Sequence, residues 1–118
     1  MKLLTKNLKS LYSDGGDGNF LNISRDPYYV QVIGPRKNPV LYIDAVSNEH
    51  LTEEEQISNE QAEEIKALGF EVDLRSDNFT IEMPFSDAEI PKIDEMIVKV
   101  LGIYGVDPYK AEFELTLE

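Results

Sequence analysis

His50 is the only imidazole in the chain and sits in the polar stretch Asn48-Glu49-His50-Leu51. A lone histidine serves as a general base only beside a nucleophile, and no second imidazole exists to share a zinc ion, so it is read as a solvated loop residue. Cysteine is absent, which excludes disulfides, thiolate metal sites and cysteine nucleophiles. The 23 Asp and Glu side chains are plentiful, but no spacing marks two of them as a glycosidase or aspartyl pair. Asp14-Gly15-Gly16-Asp17-Gly18 has the oxygen-rich start of a calcium loop. A hand-type loop would close on Glu at its twelfth position, where this chain has Arg25, so the run is read as a turn. Gly34-Pro35-Arg36-Lys37 lacks the helix start that cradles phosphate and reads as a solvated hairpin tip. Ser47-Asn48, just after an apolar stretch, suits local hydrogen bonds that shape the exit turn. No catalytic residue, metal ligand or cofactor site is assigned.

The elements that must position these groups follow from periodicity. Leu4, Leu8, Leu11 and Tyr12 recur at helical spacing ahead of the glycine-rich turn. Phe20–Ile23, Tyr28–Ile33 and Val40–Val46 are β-branched or aromatic runs separated by proline-containing turns, which predicts a three-stranded antiparallel meander. In the middle run Tyr28, Val30 and Val32 share one face and Tyr29, Gln31 and Ile33 the other, so both faces are expected to be partly covered. Two capping boxes follow, Thr52 with Glu55 and Ser58 with Gln61. Ser58 is the better helix start, because Gln61, Ile65 and Leu68 then form a stripe that Gly69 closes. Phe70, Val72 and Leu74 alternate with polar residues, as do Phe79, Ile81 and Met83, predicting a second hairpin with Glu71, Asp73 and Glu82 on its outer face. Residues 90–104 carry Ile90, Ile93, Ile97, Val100, Leu101 and Tyr104 on one helical face, with Pro91 in the first turn and Gly105 as the stop. Phe113, Leu115 and Leu117 alternate with glutamates as a last strand.

Charge divides the chain. Residues 1–46 hold six basic and four acidic side chains, and residues 47–118 hold five basic and nineteen acidic. An anionic surface repels polyphosphates and attracts cations, so nucleic acid and membrane are expected to be poor partners and a basic or extended polypeptide a good one. A hydrophobic fraction of 42% argues for a folded chain, and 118 residues suit one domain, 1–118. No apolar run has the length of a signal peptide core or membrane span, so a cytoplasmic location is expected.

Tyr29-Val30-Gln31, then Asp44-Ala45-Val46-Ser47-Asn48-Glu49, then Leu51, Ser58, Gln61, Leu68-Gly69-Phe70 and Asn78-Phe79 form a pattern that resembles the TY-Chap type of domain, which unites type III secretion chaperones with YbjN-like proteins. The similarity runs from about Tyr28 to Val106. It departs at Asp44, where the family often has Glu, and at Phe70, where Trp is common, and the tail 110–118 has no counterpart. The resemblance implies an α+β two-layer sandwich, a twisted antiparallel sheet packed by helices in the order α-β-β-β-α-β-β-α, here with an extra C-terminal strand. It also implies a non-catalytic chaperone or adaptor that holds a client segment, and a possible homodimer.

Contact residues for such a partner are sought among aromatic and acidic groups late in the chain: Tyr104, Tyr109, Phe113, Glu112 and Glu114. Two other functions fit the same composition. An immunity or antitoxin protein would use acid to block a basic toxin. A small-molecule sensor or hydrolase on the same sandwich would need a deep pocket lined with convergent polar groups.

Overall fold

Leu4, Leu8 and Leu11 fall on one face of the first helix, α1 (Lys2–Ser13), and all three are fully buried. The computed structural model describes residues 1–118 and places α1 beside the longest helix, α3 (Ile90–Ile103). A buried polar tie joins the two. The Asp94 carboxylate accepts the Met1 ammonium at 2.7 Å and the Thr5 hydroxyl at 2.6 Å. On α3, Ile90, Ile93, Ile97, Val100 and Leu101 form the buried stripe that the 3.6-residue period requires. Each such side chain contributes roughly 1.5–3 kcal/mol by leaving water. Pro91 lies in the first turn, where its missing N–H costs nothing, and Gly105 leaves the helix at φ +77°.

The remaining helix, α2 (Asn59–Ala67), starts at the expected box. The Gln61 N–H donates to Ser58 Oγ at 3.1 Å, and the Ser58 N–H donates to Gln61 Oε1 at 2.7 Å. Gln61 Nε2 also donates to the Ile103 carbonyl at 2.7 Å, which ties the start of α2 to the end of α3. Gly69 follows at φ +109°, where a Cβ would also meet Ile81 Cδ1 at 3.0 Å. The Thr52–Glu55 box forms as well, around a single 3-10 turn at Glu53–Glu55.

Six strands make one antiparallel sheet: β1 (Phe20–Arg25), β2 (Tyr28–Ile33), β3 (Val40–Ala45), β4 (Glu71–Val72), β5 (Phe79–Pro84) and β6 (Glu112–Thr116), in the order β4-β5-β3-β2-β1-β6. Cross-strand partners share a face, so the register divides the side chains into two layers. Leu21 and Ile23 of β1 stand beside Val30 and Val32, then Leu41, Ile43 and Ala45, then Phe79, all buried. This face and the three helices enclose one cluster of 24 buried residues. The α+β sandwich and its element order match the expectation from sequence.

Two expectations are corrected. The sheet is covered on one face only: opposite buried Val30 and Val32, Tyr29 and Gln31 are partly accessible and Ile33 is 40% exposed. The second hairpin is shorter than its alternation suggests. Phe70 is buried ahead of β4, Val72 is half exposed, and Leu74 is 91% exposed. Asp73 ends the strand, because its carboxylate accepts the Arg75 N–H at 2.8 Å and its carbonyl the Asp77 N–H at 2.7 Å, turning the chain before Leu74 can pair.

Candidate functional site

The uncovered face is built from the alternate residues of every strand. One row across it reads Thr116, Phe20, Ile33, Tyr42 and Glu82, each the cross-strand partner of the next. The adjacent row reads Glu114, Asn22, Gln31, Asp44, Thr80 and Glu71. Val40 and Pro84 extend the apolar part of the first row toward the end of the sheet. Three central strands thus present Phe20, Ile33 and Tyr42 as an apolar strip, with Ile33 and Tyr42 at 40% and 43% exposure. Around it stand five carboxylates, Asp44, Glu71, Glu82, Glu112 and Glu114, and no strand position on this face holds Lys or Arg. One base, Arg75, stands at the β4–β5 margin of the face in the same depression as Tyr42 and Glu82, paired with Asp73 at 3.6 Å. Arg36 and Lys37 are exposed at the β2–β3 turn, whose backbone is tied to α1 by the Lys37 N–H donating to the Tyr12 carbonyl at 2.9 Å.

Acid alters the chemistry of this face. Partial burial pushes the Asp44 carboxyl above its ordinary value, and the charge of Asp73 adds to that, while the Asn78 amide and His50 oppose it. Glu82 beside Tyr42 holds the phenol proton more tightly than usual, by hydrogen bonding and then by charge. A cation arriving here would offset the cost of ionised Asp44, because it favours the charged form of the carboxyl.

Beyond Asp44 the face ends in a polar latch. Asn78 Nδ2 donates to the Tyr29 hydroxyl at 3.0 Å, and its Oδ1 accepts the Ser47 N–H at 3.1 Å. The Ser47 hydroxyl donates to the Asp77 carbonyl at 2.5 Å and accepts the Glu49 N–H at 3.3 Å. Asn48 pairs through both ends of its amide with Ile57, accepting the N–H at 2.8 Å and donating to the carbonyl at 3.0 Å. Ser47 and Asn48 therefore shape the exit of β3, as their position suggests, and also bind it to the β4–β5 turn. His50 lies exposed, its Nε2 2.7 Å from the Ser76 carbonyl.

The free edge of β6 is the other open feature. The Gly18 N–H donates to the Glu118 carbonyl, and the Gly34 N–H to the Asn19 carbonyl, which fixes the alternation along β1. In an antiparallel ladder the main-chain groups of Phe113, Leu115 and Leu117 then point away from β1. The opposite margin is blunted by the two-residue β4 and by Pro84, which has no N–H to offer.

Of the expected contact residues, Glu112 and Glu114 are exposed on the open face, and Phe113 is partly buried on the covered one. Tyr109 is 81% exposed in the loop before β6. Tyr104 is not on the surface: its ring stacks on Tyr28 at 5.4 Å, its hydroxyl donates to the Val46 carbonyl, and burial raises its phenol pKa strongly. As the last apolar residue of the α3 stripe it faces inward, so helical spacing itself argued for this burial. Phe20, Ile33, Tyr42 and Asp44 were not singled out from sequence. The signal for them was present in the alternation of β2 and β3, once β1 and β6 are known to flank β2.

The depressions of the surface are open. One, about 740 Å³, runs along α1 and is lined by residues that include Lys2, Thr5, Lys6, Lys9, Ser13 and Asp14. A second, about 350 Å³, lies at the β4–β5 margin of the open face between Tyr42, Glu71, Asp73, Arg75 and Glu82. No three His, Asp or Glu side chains converge as a metal site, and no helix is long and apolar enough to cross a membrane. Comparisons with protein-family models, with curated proteins and with solved structures give no match to this chain.

Proposed function

We propose that this protein is a non-catalytic chaperone-like or adaptor protein that holds a cationic part of another polypeptide against the open face of its sheet. The observation that carries the reading is the face itself, five carboxylates around an apolar strip with no base at any of its strand positions and a single arginine, Arg75, at its margin, already paired with Asp73. Single-sign charge raises the local concentration of cationic partners and speeds encounter, while apolar side chains supply the contact area that charge alone does not. The resemblance to TY-Chap domains supports the same reading, since secretion chaperones of that kind hold client segments along their surface.

The test is titration of the labelled lysine-rich and glutamate-rich versions of one peptide by fluorescence anisotropy at several salt concentrations. Only the lysine-rich version is expected to bind, more weakly as salt rises, and Asp44→Lys/Glu82→Lys/Glu114→Lys is expected to abolish binding. Binding indifferent to both salt and the triple substitution would reject the proposal.

A further inference from the structure

We infer that the element seated on the open face is an amphipathic helix with Lys or Arg along its flanks, a conclusion that rests on the function proposed above and specifies its ligand. A sheet face offers no main-chain partners, because the N–H and C=O groups of its inner strands already bond to their neighbours. An extended segment laid over Phe20, Ile33 and Tyr42 would leave its own amides unpaired against apolar side chains. A helix brings its backbone bonds already made. The chain uses this solution on its other face, where the apolar stripe of α3 covers the sheet.

Dimensions agree. The strip from Phe20 on β1 to Tyr42 on β3 spans two strand spacings, about 10 Å, close to the roughly 10–12 Å breadth of a helix. Glu114 on β6 and Glu82 on β5 lie four strand spacings apart, about 19 Å, within reach of long basic side chains splaying from either side of that helix. Charge selects among occupants. A second copy applied face to face would bring Asp44, Glu82 and Glu114 against carboxylates, with no base at a strand position of the face to answer them and the marginal Arg75 already paired with Asp73. A basic helix meets opposite charge on both flanks.

The experiment uses the full chain, labelled with nitrogen-15, and a designed 18-residue peptide with leucines along one helical face and lysines on its flanks. The control has the same composition, permuted so that the leucines spread around the helix. The amphipathic peptide is expected to bind about tenfold or more tightly than its permuted control, to become helical, and to shift the amide signals of Phe20, Ile33 and Tyr42 most. Ile33→Thr and Tyr42→Thr keep strand propensity at exposed positions, and each is expected to weaken binding about tenfold with an unchanged melting temperature. Equal binding of the two peptides would leave the cation-binding function standing and overturn the helix. Shifts centred on Phe113 and Leu115 would overturn it in favour of strand addition at β6. Self-association that shifts Ile33 and Tyr42 without peptide would overturn it in favour of a second copy. Failure of both peptides to bind would remove the function proposed above together with this inference.

Discussion

Tyr104 and Asp44 show how differently two polar side chains can be held in one small domain. The Tyr104 hydroxyl is buried with the Val46 carbonyl as its partner, and burial first, then the neighbouring Tyr29, raises its pKa above the ordinary 10.0. The neutral phenol is therefore favoured by folding. Above pH 10 the unfolded chain loses this proton while the folded chain keeps it, so stability is complete below pH 10 and falls as pH rises beyond it. Tyr104→Phe is expected to cost about 1–3 kcal/mol at pH 7, because the Val46 carbonyl loses its donor, and to flatten the decline between pH 10 and 12. Urea titrations of both proteins across that range measure the two effects. Asp44 has the opposite relation to its surroundings at neutral pH. Its carboxyl is raised chiefly by burial, so between its unfolded value near 3.8 and its higher folded value the folded state binds more protons, and stability is lost as pH rises through that window. Asp44→Asn removes the charge but keeps the shape, and is expected to melt higher than the parent at pH 7 and to differ less at pH 3. A lower melting temperature at pH 7 would mean that its hydrogen bonding outweighs burial. A carboxylate kept at a cost on an open face fits a role in meeting a cation.

Among the elements, the stretch from Val46 to Ser58 is ordered by side chains more than by regular structure. Asn48 closes it by pairing with Ile57, Ser47 ties it to the β4–β5 turn, and the Tyr28 hydroxyl donates to the Glu55 carbonyl at 2.7 Å. Asn48→Ala strands the Ile57 N–H and C=O, and is expected to destabilise the fold by about 1–3 kcal/mol and to speed amide exchange from 46 to 57. Hydrogen exchange read by mass spectrometry distinguishes this local loosening from a uniform loss. Asn48→Asp, which keeps only the acceptor, should fall between the two. These bonds also explain what could be read in advance. The α3 stripe and the β1–β2–β3 meander were legible because local periodicity and turn residues determine them, and the same held for the Ser58 start of α2. The length of β4 was not, because Leu74 continues the apolar alternation while Asp73 has already turned the backbone. The acidic part of the site, Glu112 and Glu114, was visible as alternation along β6. Its apolar part was hidden, because Phe20, Ile33 and Tyr42 belong to three strands and become neighbours only through the sheet order. In β1, Phe20 beside Leu21 gives no sign of which side the helices cover.

At the scale of the whole molecule, the concentration of acid in residues 47–118 works against the fold that carries it. The molecule measures 39 × 29 × 23 Å, and its net charge is −12. At about 0.01 M salt the screening length is about 30 Å, so carboxylates on opposite sides of the molecule still repel; at about 0.15 M it is about 8 Å and only near neighbours do. The side-chain ion pairs, Lys66–Glu63, Arg75–Asp73, Lys92–Glu89 and Lys99–Glu95, have largely exposed cations, and pairs of that kind contribute little, so salt removes little attraction when it removes the repulsion. The melting temperature is therefore expected to rise with sodium chloride between 0.01 and 0.15 M, by about 4–8 °C for each ~1 kcal/mol of repulsion relieved. Calorimetry over that range measures it, with Glu82→Lys as the internal control. Replacing one carboxylate of the open face by a base should raise the melting temperature at low salt and reduce its salt dependence. A melting temperature that falls with added salt would mean that attraction outweighs repulsion in the folded state. The same screening must weaken a cationic partner at this face, so salt is expected to move stability and binding in opposite directions, which a gain from burial alone would not do.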